Sequence, residues 1–304
     1  MASRHGSLRT GGRCLLAILA WGVFALAGGG EPSDAQELPT LRFTAIPDQD
    51  ASRLRARFGP LAEHLSRKLG VPVEYVPATR YEDSVELFKH GDVQLAWFGG
   101  LTGVQARHAV PGARAIAQGA EDPDFRSYFI AHRDTGLSPS ETFPLELAGK
   151  RFAFGSAGST SGRLMPEHFI RRASGRAPDE FFESVTFSGS HDRTAELVES
   201  KRFDAGAINY KVYERRVAEG QTDPEQVLVI WETPPYPDYN FTAHPLLEER
   251  YGPGFVDRLR QELVDLRDPQ LLAAFPRSAL IPAENREFES IRKLALELGF
   301  IRPR

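Results

Sequence analysis

The chain has 304 residues, 41% of them hydrophobic and 26% charged, with a formal net charge of −4. That length exceeds one ordinary domain and suits two lobes with separate cores, and the composition is that of a soluble globular protein. The acidic balance excludes a non-specific nucleic-acid binder, and any anionic ligand has to be held by local donors against the overall field.

Residues 1–35 read as a targeting segment. Arg4, Arg9 and Arg13 form a positive stretch, and Cys14 to Ala27 is an apolar run too short to span a bilayer comfortably. Ala25-Leu26-Ala27 and Ser33-Asp34-Ala35 are small-residue cleavage sites. Cys14, the only cysteine, lies early in the run and not at its end, where a lipid-bearing cysteine would sit. A cleaved, exported chain without disulfides is expected, located in the periplasm.

From Leu41 the pattern alternates. Arg42–Ile46, Val73–Val76 and Val93–Phe98 read as strands. Leu54, Phe58, Leu61, Leu65 and Leu69 mark a helix that Pro60 kinks or splits, and Val85 to Phe88 belongs to a second helix. This β-α-β-α-β order predicts a parallel sheet with helices on both faces. After the polar segment Ser138–Pro144 a second series begins. Arg151–Phe154, Val185–Phe187, Ala205–Ile208 and Val227–Trp231 are its strands, and Leu164–Arg172 is a helix. Thr233-Pro234-Pro235-Tyr236-Pro237 breaks the order, and the chain from His244 is mostly helical. Two breaks predict two crossings between lobes: lobe 1 over 40–134 plus 238–304, lobe 2 over 135–237, with a ligand cleft between them.

The segment Gly155-Ser156-Ala157-Gly158-Ser159-Thr160-Ser161-Gly162 joins a strand to a helix. Hydroxyls, free N–H groups and the positive end of a helix dipole make Ser159, Thr160, Ser161 and Gly162 an anion site. An ordinary turn with a serine cap is the alternative. It is not a Walker loop, since no Gly-Lys-Ser/Thr ends it, and it lacks G-x-S-x-G. Other strand ends carry Pro47-Asp48, Trp97-Phe98-Gly99-Gly100, Ser188 to Asp192 with His191, and Tyr236 to Asn240 with Asp238 and Tyr239. Ligands of open α/β sheets bind at such ends.

The order A-W-F-G-G, F-G-S-x-x-S-T-S-G-x-L-M-P, S-G-x-H-D and T-P-P-Y-x-D-Y-N resembles the periplasmic phosphonate/phosphite-binding proteins of ABC importers, and within them a subgroup labelled selenate-binding. The resemblance covers residues 40 to 300 or so and implies the type II periplasmic-binding-protein fold, an α/β architecture. It also implies an oxyanion surrounded by Tyr81, Trp97, Phe98, Gly99, Ser159, Thr160, Ser161 and His191, an inner-membrane permease as partner, a monomer, and neither cofactor nor metal. The family usually places an acid after the D-A-x-A-x run, where this chain has Asn209. An amide can donate to a fully ionised ligand, which favours selenate or sulfate; Asp238 could supply an acceptor instead and weakens that argument. Three other functions compete: a sensory binding protein docking on a histidine kinase, a hydrolase using Ser161 or Ser159 with His191 and Asp238, and a binder of a thiamine-precursor pyrimidine stacked on Trp97, Tyr81 and Tyr239.

Overall fold

The computed structural model describes residues 38–49 and 51–303; the expected targeting segment lies outside them. In chain order they form β1 (Leu41–Ala45), α1 (Ala51–Leu69), β2 (Val73–Tyr75), α2 (Tyr81–Lys89), β3 (Leu95–Phe98), α3 (Gly100–Ala109), β4 (Arg114–Gly119), β5 (Ser127–His132), β6 (Arg151–Phe154), α4 (Met165–Ser174), α5 (Pro178–Phe181), β7 (Ser184–Phe187), α6 (His191–Glu199), β8 (Ala205–Asn209), α7 (Tyr210–Ala218), β9 (Val227–Glu232), β10 (Asn240–Ala243), α8 (Leu246–Tyr251), α9 (Phe255–Val264), α10 (Pro269–Leu272), β11 (Leu280–Pro282) and α11 (Glu289–Glu297).

Two sheets organise these elements, one in the order β11-β4-β10-β3-β1-β2 and the other β7-β6-β8-β5-β9. The chain therefore passes between sheets twice, through residues 120–126 and 233–239. The passages run against one another: Phe125 and Tyr236 exchange backbone hydrogen bonds of 3.0 and 2.9 Å. A two-strand connection of this kind lets two packed bodies hinge.

The sheets are mixed, which corrects the parallel expectation. β10 returns from the second sheet and lies antiparallel between β3 and β4, and β5 lies antiparallel between β8 and β9. The sequence Asn240-Phe241-Thr242-Ala243 has no strand-like apolar run, yet all four residues are buried at the sheet centre. Its place is set by tertiary pairing rather than by propensity. β5 also moves the first crossing: it bonds in the second sheet, so the boundary lies upstream of the expected 134/135 position. The break read from the polar segment Ser138–Pro144 is a loop within the second body. α1 runs unbroken past Pro60, because Leu54, Phe58, Leu61 and Leu65 bury one continuous face. Burial of that face outweighs the hydrogen bond that a proline removes.

The carboxyl ends of β1, β3, β6 and β8 deliver Asp48, Gly99, Gly155 and Asn209 respectively to the seam between the two sheets. The short loop after β7 brings His191 to the same place.

Candidate functional site

The loop after β6 does not enter α4 directly. Residues Thr160–Leu164 form a π-helical turn, with Leu164 N–H donating to the Ser159 carbonyl at 3.0 Å. Such wide turns recur at functional sites. Ser159 caps it, its Oγ accepting from Gly162 N–H at 2.9 Å. The Thr160 and Ser161 N–H groups find no acceptor among the described residues and remain available at the positive end of the turn. Glycine fits closely at 162: a Cβ there would lie 3.0 Å from Gly155 Cα, His191 Cε1 and Ser159 Oγ. Gly155 N–H donates to the Gly162 carbonyl at 2.8 Å, closing the loop on itself.

A relay holds the turn from beneath. Ser127 Oγ donates to the Ser161 carbonyl at 2.7 Å and lies 2.6 Å from the Tyr236 hydroxyl. Ser127 has one proton, so Tyr236 donates to Ser127, which donates to Ser161.

The first sheet contributes from across the seam. Leu101 N–H donates to Thr160 Oγ1 at 3.0 Å, and Gly100 N–H donates to Asp238 Oδ1 at 2.7 Å. Gly99 lies under both: a Cβ there would be 3.1 Å from Thr160 Oγ1 and 3.2 Å from Asp238 Oδ1. The Tyr81 phenol, at the first turn of α2, lies against the Ser159 hydroxyl. Burial, with the nearby Asp48 and Asp238, pushes its pKa far up, so it stays a neutral donor. Tyr81, Ser159, Thr160, Ser161, His191 and Asp238 are each at most 2% exposed. The structure therefore brings these residues into one closed polar cage between the sheets.

His191 N–H donates to the Asp48 carbonyl at 3.3 Å, and its ring Nδ1 accepts from Asn209 N–H at 3.3 Å. The ring proton is thereby assigned to Nε2, which lies 3.5 Å from Ser161 Oγ. Burial lowers the ring's pKa to about 4, so it is a neutral donor at neutral pH. This geometry opposes the hydrolase reading. Nε2 holds the proton that a general base would have to accept, and Asp238 bonds to Gly100 instead of orienting the imidazole.

Asp238 is the acid of the cage. Its Oδ2 is buried without a hydrogen-bond partner. Burial raises its pKa to about 7, opposed in part by the Gly100 N–H and the Thr160 hydroxyl.

Four expected residues lie outside this cluster: Phe98, and Trp97, Asn209 and Tyr239, which line a separate small cavity with Asp48. Phe98 packs edge-on against Phe88 in the core, on the opposite sheet face from Trp97. Trp97 stacks on Tyr239 and leans on Phe241 and Phe275. The Asn209 side chain is engaged at both ends: Oδ1 caps α7 at Lys211 and Val212, and one Nδ2 proton is donated to the Tyr239 hydroxyl at 3.0 Å. Tyr239 in turn donates to Asp48 Oδ2 at 2.7 Å. The amide is thus a cap and a strut, and its oxygen and one of its two protons are committed to the fold. Sequence reasoning missed Ser127, Asp122 and Arg277, none of which lies in a glycine- or serine-rich loop.

A buried polar cluster at the strand ends of two α/β sheets joined by two crossings is the architecture of a substrate-binding protein. The sequence matches the family described as "ABC transporter, phosphonate, periplasmic substrate-binding protein" over residues 43–288, and the chain belongs to that family. It is 37% identical over 269 residues to the "Probable ABC transporter phosphite binding protein PhnD1" of Prochlorococcus marinus, covering 86% of this chain and 91% of that protein. It is 30% identical to the "Phosphate-import protein PhnD" of Mycolicibacterium smegmatis, covering 84% and 80%. The solved structure of the Prochlorococcus protein with methylphosphonate superposes with a TM-score of 0.82 over 86% of this chain and 99% of that one. A phosphonate-transporter binding protein of Pseudomonas aeruginosa matches with a TM-score of 0.74 at 22% identity, covering 86% of each chain, a likeness of fold alone. The fold is the type II periplasmic-binding-protein fold, and the chain is a substrate-binding protein rather than an enzyme. No described helix is long and apolar enough to cross a membrane.

Proposed function

We propose that this chain captures a small phosphorus oxyanion carrying one proton, of the phosphite or methylphosphonate kind, by closure of its two bodies, and presents it to an ABC permease. The observation that carries the reading is the unpartnered Oδ2 of Asp238. Around it the cage offers neutral donors: the hydroxyls of Tyr81, Ser159 and Ser161, the first-turn N–H groups, and His191 Nε2–H. A carboxylate among donors suits a ligand that brings a proton to it, and a carboxylic acid there suits a ligand that accepts one. Either way the complex holds one shared proton. Sulfate and selenate bring none at neutral pH and meet a lone-pair repulsion when Asp238 is ionised. Charge-assisted hydrogen bonds supply the affinity, each about twice as strong as a neutral one.

The relatives at 30% and 37% identity are named for phosphate import and phosphite binding, which supports the same chemistry. Export with removal of residues 1–35, a monomeric state and a permease rather than a sensor kinase as partner belong to this reading. A thermal-shift panel of phosphite, methylphosphonate, phosphate, sulfate and selenate tests it, since a ligand that binds only the folded state raises the melting temperature. Phosphite or methylphosphonate should give the largest rise. A rise with selenate or sulfate alone would sink the reading.

A further inference from the structure

Beneath the cage lies a buried ion pair whose side chains bond to none of the cage side chains named above. Arg277, in the loop between α10 and β11, is 2% exposed at its side chain, and Asp122, in the first crossing, is 0% exposed. Arg277 Nε donates to Asp122 Oδ1 at 2.8 Å, and Asp122 Oδ2 accepts from Gly119 N–H at 2.7 Å. The guanidinium is 5.1 Å from the Phe125 ring of the first crossing and 4.9 Å from the Tyr239 ring of the second. The two crossings are also tied at the cage itself, where Asp238 N–H donates to the Asp122 carbonyl at 3.0 Å. Packing here is tight enough to demand glycine at 119, where a Cβ would come within 2.4 Å of Arg277 Cγ and Asp122 Oδ2.

We propose that Arg277 is a positioning residue for oxyanion capture: it pins both crossings to one another under the cage and neutralises the Asp122 carboxylate, whose backbone carbonyl holds Asp238 in place. The inference rests on the reading of Asp238 as the ligand's proton partner. A guanidinium keeps its charge when buried, and its fork can bond a carboxylate while its face stacks on rings, which an ammonium cannot reproduce. Its charge favours the ionised form of Asp48, Asp122 and Asp238 alike. The groups facing Asp238 are Thr160 on the π turn, Tyr81 on α2, Tyr236 and Tyr239 on its own crossing, Asp122 on the other, and Arg277. The tyrosines are held neutral by burial; burial is also the first cause of the raised Asp238 pKa, and of the two charged neighbours Asp122 raises it further while Arg277 lowers it.

The test compares Arg277→Gln, Arg277→Lys and Asp122→Asn with the unaltered protein. One readout is the phosphite dissociation constant across pH; the other is the carbon-13 titration of the Asp238 carboxyl without ligand. Losing the guanidinium should move the Asp238 midpoint, and the alkaline limb of binding, to higher pH, and weaken binding by about tenfold or more. Lysine should restore the midpoint but not the affinity. Asp122→Asn should move the midpoint to lower pH, so failure of one variant to fold leaves the other to decide. An Asp238 midpoint that stays put in the folded variants overturns the inference. Absence of phosphite and methylphosphonate binding by the unaltered protein would instead overturn the oxyanion reading, while the titration would still decide the role of Arg277.

Discussion

Thr160 Oγ1 accepts the Leu101 N–H at 3.0 Å, so a hydroxyl of the second body completes the first turn of a helix in the first. The bond exists only when the two bodies are together, and Thr160 is 2% exposed. Thr160→Val keeps the shape and removes the acceptor, leaving a buried N–H unsatisfied at a cost of about 1–3 kcal/mol to the closed form. Phosphite binding measured by calorimetry should weaken about tenfold or more, since 1.4 kcal/mol is a factor of ten. The urea midpoint of the ligand-free protein should move little, because the cost falls on closure. Unchanged affinity would mean that the contact does not contribute to capture.

His191 links stability to pH. Its folded pKa is depressed to about 4 by burial, below the ordinary value of 6.5. The unfolded chain therefore binds more protons between these values, so the contribution is fully present above pH 6.5 and is lost as pH falls toward 4. The linked loss is roughly 3 kcal/mol, at 1.36 kcal/mol per pKa unit. Urea unfolding at pH 7 and near pH 4 should show this difference, and His191→Gln should flatten it. An equal slope in both proteins would contradict the buried neutral ring.

Gly162→Ala inserts a methyl against Gly155 Cα, the His191 ring and Ser159 Oγ at 3.0 Å each. Two of these neighbours are backbone or a buried ring, so the π turn or the imidazole has to give way slightly. Overpacking of this kind costs about 1–3 kcal/mol. The melting temperature should fall, and oxyanion binding should be lost along with the turn geometry. A variant with normal binding would show that the turn tolerates distortion.

Much of this was legible in the sequence for identifiable reasons. The serine- and threonine-rich corner was readable because glycine, hydroxyl and strand-to-helix signals coincide within eight residues, Gly155 to Gly162. Tyr81, His191 and Asp238 came from the family resemblance or from their place at strand ends, and the structure gathers them in one cage. What stayed hidden depends on partners distant along the chain. Strand β10 is recognisable only once β3 and β4 flank it. Asn209 looked like a ligand donor because its amide is chemically able to donate; its engagement with Tyr239, 30 residues away, appears only in three dimensions. Arg277 and Asp122 are 155 residues apart and lack any local motif.

The most direct measurement is calorimetric titration of phosphite and selenate into the unaltered protein and into Asp238→Asn at neutral pH. The unaltered protein should bind phosphite and discriminate against selenate. The amide variant, which can only share a donor with a deprotonated ligand or accept weakly through its carbonyl, should lose phosphite affinity by about tenfold or more and narrow the gap to selenate. Unaltered phosphite affinity in the variant, or tighter selenate than phosphite binding by the native chain, would contradict the shared-proton cage.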